Sequence, residues 1–227
     1  MHSFGHIESE LIDSGVTRFA GVDEAGRGPL AGPVIAAAVM FDLDVTIDGV
    51  ADSKALSANQ RVAVAGTIRE KALSFGIGIA SHAEIDEINI LQATMLAMRR
   101  AVAAMDPAPE FLLVDGNRFA HPQLPFRTVV KGDALCFSIA AASILAKVER
   151  DGIMHDLDLR FPQYGFARHK GYGTAAHVAA LREHGPCEIH RRSFTVKSLS
   201  AQTGIFSDER PTGTRTRGRG ARSPAFE

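Results

Sequence analysis

The chain has 227 residues, 45% of them hydrophobic, and a formal net charge of −1 at pH 7. This length and composition provide for one sizeable core and leave no room for a second large one, so we expect a single folded domain. A net charge near zero argues against a protein that binds nucleic acid through its overall charge, although local basic clusters remain compatible with such binding.

Signals for export, membrane insertion and structural metal binding are lacking. The N-terminal stretch MHSFGHIESE carries acids where a secretory signal needs a basic region and an apolar run, and Gly, Pro or charge interrupts every long apolar segment. Cys136 and Cys187 are far apart and show no metal-ligand spacing. We therefore expect a cytoplasmic protein with no membrane association. The sequence does not indicate the oligomeric state, and a monomer is the simplest expectation.

The predicted elements begin with a hairpin and two helices. Small and β-branched apolar residues at 19–23 and 33–41 predict two strands, joined by a Gly/Pro-rich turn. Ser57 with Gln60, and Ser81 with Glu84, form capping-box signatures. They predict one helix to about residue 73, and a longer one to about residue 105.

Strands and helices alternate along the rest of the chain. Short apolar runs predict strands at 75–80, 111–115 and 126–130, and helical composition predicts helices over 134–159 and 174–184. The class is therefore α/β. Little can pack after Ser207, so we predict a catalytic domain over residues 1–206 and a disordered Arg/Gly-rich tail over residues 207–227.

Carboxylates follow the predicted strands where each strand ends. Asp23 and Glu24 close the first strand, just before a glycine-rich turn, and Asp115 closes the run FLLV. Asp133 lies between the last strand and the long helix, where it is also a candidate N-cap. If these strand ends share one edge of the sheet, the four acids meet there. Because Mg²⁺ and Mn²⁺ prefer carboxylate oxygens and paired ions suit phosphoryl chemistry, the pattern predicts hydrolysis of a phosphodiester.

These segments resemble the motifs of the ribonuclease HII family. DEAGRGPLAGPV at 23–34 is similar to the family's opening motif, and further matches follow in order: DSK at 52–54, LVDGN at 113–117, VVKGDALCFSIAAASILAKVERD at 129–151, HKGYGT at 169–174 and HRRSF at 190–194. The resemblance implies a ribonuclease H-like fold, with a mixed central β-sheet flanked by α-helices, and a metal site formed by Asp23, Glu24, Asp115 and Asp133. It also implies an endoribonuclease, dependent on Mg²⁺ or Mn²⁺, that cleaves the RNA strand of RNA–DNA hybrids. Cleavage on the 5′ side of a ribonucleotide embedded in duplex DNA, with 3′-hydroxyl and 5′-phosphate products, is implied as well.

The resemblance further assigns substrate contacts. It implies that the backbone of Gly26, Arg27 and Gly28 reads the ribose 2′-hydroxyl, and that Tyr172 lies against the same sugar. Glycines allow such an approach because a Cβ would intrude, and the 2′-hydroxyl is what distinguishes RNA from DNA. Basic residues near the motifs are expected to contact phosphates: Lys54, Lys131, His169, Lys170, Arg191 and Arg192.

Two further features suggest other chemistry. AAAVMFDLDVT at 36–46 is an apolar strand that leads into Asp42 and Asp44, as in haloacid dehalogenase-like phosphatases, where Asp42 would be a covalent nucleophile. That interpretation leaves DEAGRGPLAGPV and HKGYGT without a role. The peptide QTGIF at 202–206, from Gln202 to Phe206, resembles the short peptides by which bacterial proteins dock on the DNA sliding clamp.

Overall fold

A computed structural model describes residues 4–50 and 54–194 of the chain. Its centre is a five-stranded sheet made of β1 (Phe19–Ala25), β2 (Val34–Met40), β3 (Ser74–Ala80), β4 (Phe111–Asp115) and β5 (Phe126–Val129). The strand order is β3-β2-β1-β4-β5. β1, β2 and β3 form an antiparallel meander, whereas β4 runs parallel to β1 and β5 parallel to β4. The sheet is therefore mixed, as predicted.

The helices are α1 (His6–Asp13), α2 (Ala58–Lys71), α3 (His82–Ala103), α4 (Gly132–Leu135), α5 (Phe137–Arg160), α6 (Phe166–His169) and α7 (Ala175–His184), with a 3₁₀ turn at Pro162–Tyr164. Both predicted capping boxes are confirmed, because the Ser57 and Ser81 hydroxyls accept the backbone N–H of Gln60 and Glu84. The sequence patterns did not predict α1, α4 or α6.

Helices cover both faces of the sheet. Side chains alternate between the faces of a strand, so Ala36 and Ala38 of β2 pack with α3 while Ala37 and Val39 pack with α2 and α5. On the α5 side, Gly21 of β1 lies directly against the helix backbone. This close contact fixes α5 over the strand that ends in two of the predicted acids.

The predicted helix over 134–159 is broken near its start. Cys136 has extended backbone angles (φ −126°, ψ 125°) and separates α4 from α5. The carboxylate of Glu8, which is fully buried, accepts the N–H groups of Phe137 and Ser138 at 2.9 and 2.8 Å. A helix N-terminus leaves such N–H groups unpaired, so Glu8 stabilises a new start at residue 137.

Asp133 does not cap the long helix. The N-cap position of α4 is Lys131, with φ 59°, and Asp133 lies in the first turn. Asp133 is therefore not the N-cap of the long helix, and its side chain forms an ion pair with Lys54.

Several sequence predictions fall outside the described residues: Asp52 and Ser53 of the DSK motif, the QTGIF peptide at 202–206, and the tail over 207–227. Within residues 4–50 and 54–194, none of the helices has the length and apolarity needed to cross a membrane.

Candidate active site

The four predicted acids lie at one edge of the sheet. Asp23 and Glu24 are near the end of β1, and Asp115 is the last residue of β4. Val22 pairs with Val114 in the parallel β1–β4 ladder, so Asp23 and Asp115 leave neighbouring strands side by side. Asp133 lies in α4, which follows β5 directly at the same edge.

Negative charge is concentrated and partly buried there. Asp23 is only 6% exposed, and its carboxylate accepts the Glu24 N–H at 2.7 Å. Burial, followed by the charges of Glu24 and Asp115, raises the pKa of Asp23 well above its ordinary value. Burial also raises the pKa of Glu24, against the opposing effect of Arg27. A group of carboxylates in such surroundings favours binding of protons or cations.

Two basic side chains balance part of this negative charge. The Lys54 ammonium lies 2.7 Å from Oδ2 of Asp133, which raises the pKa of Lys54. Arg27 donates a hydrogen bond of 3.1 Å to Oε1 of Glu24. The Lys54 and Arg27 side chains are 75% and 52% exposed, so both ion pairs exchange readily with water or with other charges.

The donor set fits a hard divalent cation, because Mg²⁺ and Mn²⁺ prefer carboxylate oxygens. Within residues 4–50 and 54–194, no three acidic, His or Cys side chains already converge as a ligand set. The local contacts give the reason. Lys54 and Arg27 hold two of the acids, and Oδ1 of Asp115 accepts the N–H of Gly132 at 2.6 Å. Side-chain rotation would therefore have to accompany metal binding.

A cavity of about 500 Å³ opens beside the acids. Its lining includes these predicted site residues: Glu24, Gly26, Arg27, Gly28, Lys54, Asp133 and Tyr172. A Cβ added to Gly28 would lie 3.6 Å from Cε1 of Tyr172, whose side chain is 46% exposed. Gly28 and the tyrosine ring are thus close neighbours in the lining of the cavity, and a side chain at residue 28 would contact the ring.

Gly26 cannot be replaced without strain. Its φ of 100° is rare for residues with a side chain, and a Cβ would lie 2.1 Å from Nε of Arg150 and 2.8 Å from the Pro33 carbonyl oxygen. The glycine is therefore required by the close approach of two other segments, which a plain hairpin turn would not need.

The basic residues expected at phosphates divide into two groups. Lys131 and Arg192 are exposed, and the Lys170 ammonium donates to the Ala167 carbonyl at 2.7 Å. His169 and Arg191 are buried. For these two the predicted phosphate contact is wrong, because their side chains face inward and bind the backbone.

His169 illustrates this correction. Its Nε2 lies 2.8 Å from the Tyr164 carbonyl, and its Nδ1 accepts the Gly171 N–H at 3.3 Å. A carbonyl can only accept, so Nε2 carries the proton. Both ring nitrogens are thus engaged in holding the HKGYGT loop in place.

Two further histidines, His177 and His190, hold the backbone of Tyr172. Nδ1 of His177 lies 2.9 Å from the Tyr172 carbonyl and must carry its proton, so Nε2 of His177 accepts from Nε2 of His190 at 3.0 Å. Burial, then the neighbouring His177, lowers the pKa of His190 to about 4, and burial lowers that of His177. Both rings are therefore neutral at pH 7. Isolated histidines in this sequence carried no pattern that predicted the pair.

Four further residues that line the cavity were not predicted from the sequence: Arg61, Ser143, Lys147 and Arg150. Ser143, Lys147 and Arg150 are spaced i, i+4 and i+7 on α5, which places them on one face. Polar residues at this spacing were a usable signal, because the first half of α5 is largely apolar. Arg61, on α2, had no such mark.

Asp42 and Asp44 are exposed and follow β2, away from the residues that line the cavity. A covalent nucleophile needs a neighbouring base or another activating group in an enclosed site. The geometry therefore does not favour the phosphatase interpretation.

Comparisons with known proteins agree with the motifs. The family model described as Ribonuclease HII matches residues 20–197. A ribonuclease HII from Bordetella pertussis is 59% identical over 183 residues, which cover 80% of this chain and 91% of that protein. The ribonuclease H2 structure from Pyrococcus horikoshii superposes with a TM-score of 0.66 at 25% identity, covering 78% of this chain and 93% of that one. The ribonuclease HII of Archaeoglobus fulgidus, solved in a complex with PCNA, superposes with a TM-score of 0.62 at 26% identity, covering 79% and 96%.

Proposed function

Since the chain belongs to the ribonuclease HII family and is a nuclease that acts on RNA–DNA hybrids, we propose that it also nicks duplex DNA on the 5′ side of an embedded ribonucleotide. The products would carry 3′-hydroxyl and 5′-phosphate ends. One observation carries this proposal: of the four acids at one sheet edge, Glu24 and Asp133 line a cavity that the glycine turn and Tyr172 also line. The acids suit phosphodiester hydrolysis, and the lining suits a sugar with a 2′-hydroxyl.

We propose Mg²⁺ or Mn²⁺ as the cofactor, with two ions held by Asp23, Glu24, Asp115 and Asp133. Such ions, when bound, supply positive charge at the reacting phosphate and lower the pKa of a water molecule. The protein's contribution is the charge that attracts them. Burial and the repulsion between carboxylates, which raise the pKa of Asp23, are relieved by a cation.

The cavity residues divide the recognition of the nucleotide between them. Gly28 carries no side chain, so a ribose can approach the amides of the turn closely. The Tyr172 ring, which lines the same cavity, would pack against the sugar and disfavour any displaced position. DNA lacks the 2′-hydroxyl that these amides would bind, and that absence is the basis of the selectivity.

Basic groups at the cavity suit the phosphates on either side of the sugar. Lys54 is available for a substrate phosphate because its exposed ion pair with Asp133 exchanges readily. The unpredicted Arg61 and Lys147 also line the cavity, and Lys131 and Lys170, which are not among its lining residues, would add contacts further along the duplex. Phosphate contacts position the duplex and carry no sequence information, as a nuclease that acts on ribonucleotides in any sequence requires.

A contact with the DNA sliding clamp is a further part of the proposal. The QTGIF peptide at 202–206 supports it, as does the A. fulgidus ribonuclease HII solved with PCNA. Direct binding of the full chain to a purified sliding clamp, compared with the Phe206→Ala variant, tests it. Equal binding of both would contradict a role for the peptide.

Cys136 and Cys187 are both free, which agrees with the reducing cytoplasm that we propose as the location.

The nicking activity is tested with an end-labelled DNA duplex that contains one ribonucleotide, incubated with Mg²⁺, Mn²⁺ or EDTA. We expect a metal-dependent nick on the 5′ side of the ribonucleotide and no cleavage of the all-DNA duplex. DNA ligase reseals only 3′-hydroxyl and 5′-phosphate ends, so resealing identifies the products. Cleavage without metal, or equal cleavage of the all-DNA duplex, would refute the proposal.

A further inference from the structure

Arg191 is fully buried, and its guanidinium donates hydrogen bonds only to backbone carbonyls. Its Nε donates to the Gly32 carbonyl at 2.9 Å, and Nη1 donates to the Arg27 carbonyl at 3.0 Å. Nη2 is shared by the carbonyls of Gly26 and Pro33, at 2.6 and 3.2 Å. None of the ion pairs among residues 4–50 and 54–194 includes Arg191. A buried cation held by neutral carbonyls alone is an unusual arrangement, since buried charges are usually paired.

The guanidinium remains charged under ordinary conditions. Burial, together with the neighbouring Arg150, lowers the pKa of Arg191 to about 9, which is still well above neutral pH. The Phe194 ring lies against one face of the guanidinium, with its centre 5.0 Å from Cζ of Arg191. This contact restricts rotation of the guanidinium plane. Four carbonyls are therefore oriented toward one rigid, positively charged group.

Two of these carbonyls belong to the glycine turn, and their orientation decides where its amides point. In a planar trans peptide the C=O and the following N–H point in opposite directions. Because the Gly26 and Arg27 carbonyls face inward to Arg191, the N–H groups of Arg27 and Gly28 face outward, on the cavity side of the turn. In the part of the chain that the structure describes, neither amide donates to a protein acceptor.

We infer that Arg191 is a positioning residue for sugar recognition, which fixes the Arg27 and Gly28 amides as a pair of outward donors for a ribose hydroxyl. The inference rests on the proposed function, because it concerns how the same cavity selects its sugar. Arg191 touches no substrate. It acts through the turn, 164 residues away in sequence from Arg27.

Arg191 contributes to stability as well as to positioning, because its removal would leave buried carbonyls of the turn without a donor. The same hydrogen bonds fix the orientation of the turn. Arg150 belongs to the same frame, since it donates to the Pro33 carbonyl at 3.1 Å and to the Lys170 carbonyl at 3.0 Å. Its Cζ lies 6.0 Å from the centre of the Tyr172 ring. The two arginines thus join the turn and the tyrosine loop that wall the cavity.

Steady-state kinetics with Arg191→Lys separate positioning from folding. The lysine keeps the charge but loses the fork, so we expect KM for the duplex with one ribonucleotide to rise about tenfold, the effect of one lost hydrogen bond to a fixed donor. The inhibition constant of the matched all-DNA duplex should not change, because non-specific phosphate contacts are untouched. Arg18→Lys, at an exposed ion pair with Glu110 and not among the residues that line the cavity, should alter neither constant.

A purely structural Arg191 gives a different result. Partial unfolding lowers kcat through the active fraction but leaves KM and the inhibition constant as in the wild type, and that pattern in a folded Arg191→Lys variant would overturn the inference. If the variant does not fold, ¹⁵N NMR of the wild-type chain decides. The Arg27 and Gly28 amide signals should shift with the ribonucleotide duplex and not with all-DNA, and the absence of a selective shift would also overturn it. If the wild type cleaves neither duplex, the proposed function fails instead.

Discussion

Gly21→Ala tests how closely α5 must lie against β1. A Cβ at residue 21 would lie 2.1 Å from the Ser138 carbonyl carbon and 2.3 Å from the Ile139 nitrogen, whereas real Cβ contacts are essentially never under 3.0 Å. Both neighbours are backbone atoms, so the helix as a whole would have to move by about 1 Å. Overpacking of this kind costs about 1–3 kcal/mol, which lowers Tm by about 2–4 °C for each kcal/mol in a chain of this size.

The displacement should also reduce activity, because α5 carries Ser143, Lys147 and Arg150, which line the cavity. A misplacement of about 1 Å can lower a rate by about 100-fold. Gly152→Ala is the matched control, since it lies in the same helix with no atom within 4 Å of the added Cβ. It should stabilise the protein by about 0.5–1 kcal/mol. Equal Tm values and equal nicking rates for Gly21→Ala and the wild type would refute the packing argument.

Three other substitutions have expected outcomes. The raised pKa of Asp23 means that the folded chain holds this proton more tightly than the unfolded chain does. Without metal, stability therefore falls as the pH rises from the unfolded-state pKa of this carboxyl through its folded-state pKa. Asp23→Asn removes the effect and should raise Tm in EDTA, by about 2–4 °C for each kcal/mol gained. A gain that is not larger at about pH 8 than at about pH 5 would contradict this assignment. Glu8→Gln leaves N–H groups of α5 poorly paired and should cost about 1–3 kcal/mol in urea denaturation, whereas Glu10→Gln, at an exposed ion pair, should leave the midpoint unchanged. Gly26→Ala forces a side chain into the left-handed region against Arg150, so ribonucleotide cleavage should fall by more than non-specific binding of duplex DNA, measured by anisotropy.

Much of the fold and of the acidic centre followed from local patterns. The capping serines, the hairpin and the strand that ends in Asp115 all depend on residues close together in sequence, and the structure confirms them. The first strand was also predicted, but it continues two residues beyond Asp23 to Ala25. The family motifs led to the same acids. Periodicity and caps are read from short windows, so features built within such windows are the ones they predict well.

The features that were not predicted depend on contacts between distant segments. The break before α5 is explained by Glu8, whose carboxylate lies 129 residues away in sequence from the amide of Phe137. The inward orientation of Arg191 depends on carbonyls more than 150 residues away. Every residue has a carbonyl, so no residue type in the sequence marks the acceptor of such a bond. Basic residues near a motif therefore look alike in sequence, whether they face phosphate or backbone.

The most direct test of the central claim compares Asp23→Asn with Asp42→Asn on the duplex with one ribonucleotide, with Mg²⁺ or Mn²⁺ present. Both variants lose one carboxylate charge, but Asp23 lies at the acidic sheet edge and Asp42 is exposed outside the cavity. We expect Asp23→Asn to abolish the nick and Asp42→Asn to cut at the wild-type rate. A nick that survives in Asp23→Asn, or one that is lost in Asp42→Asn, would contradict the assignment of the active site.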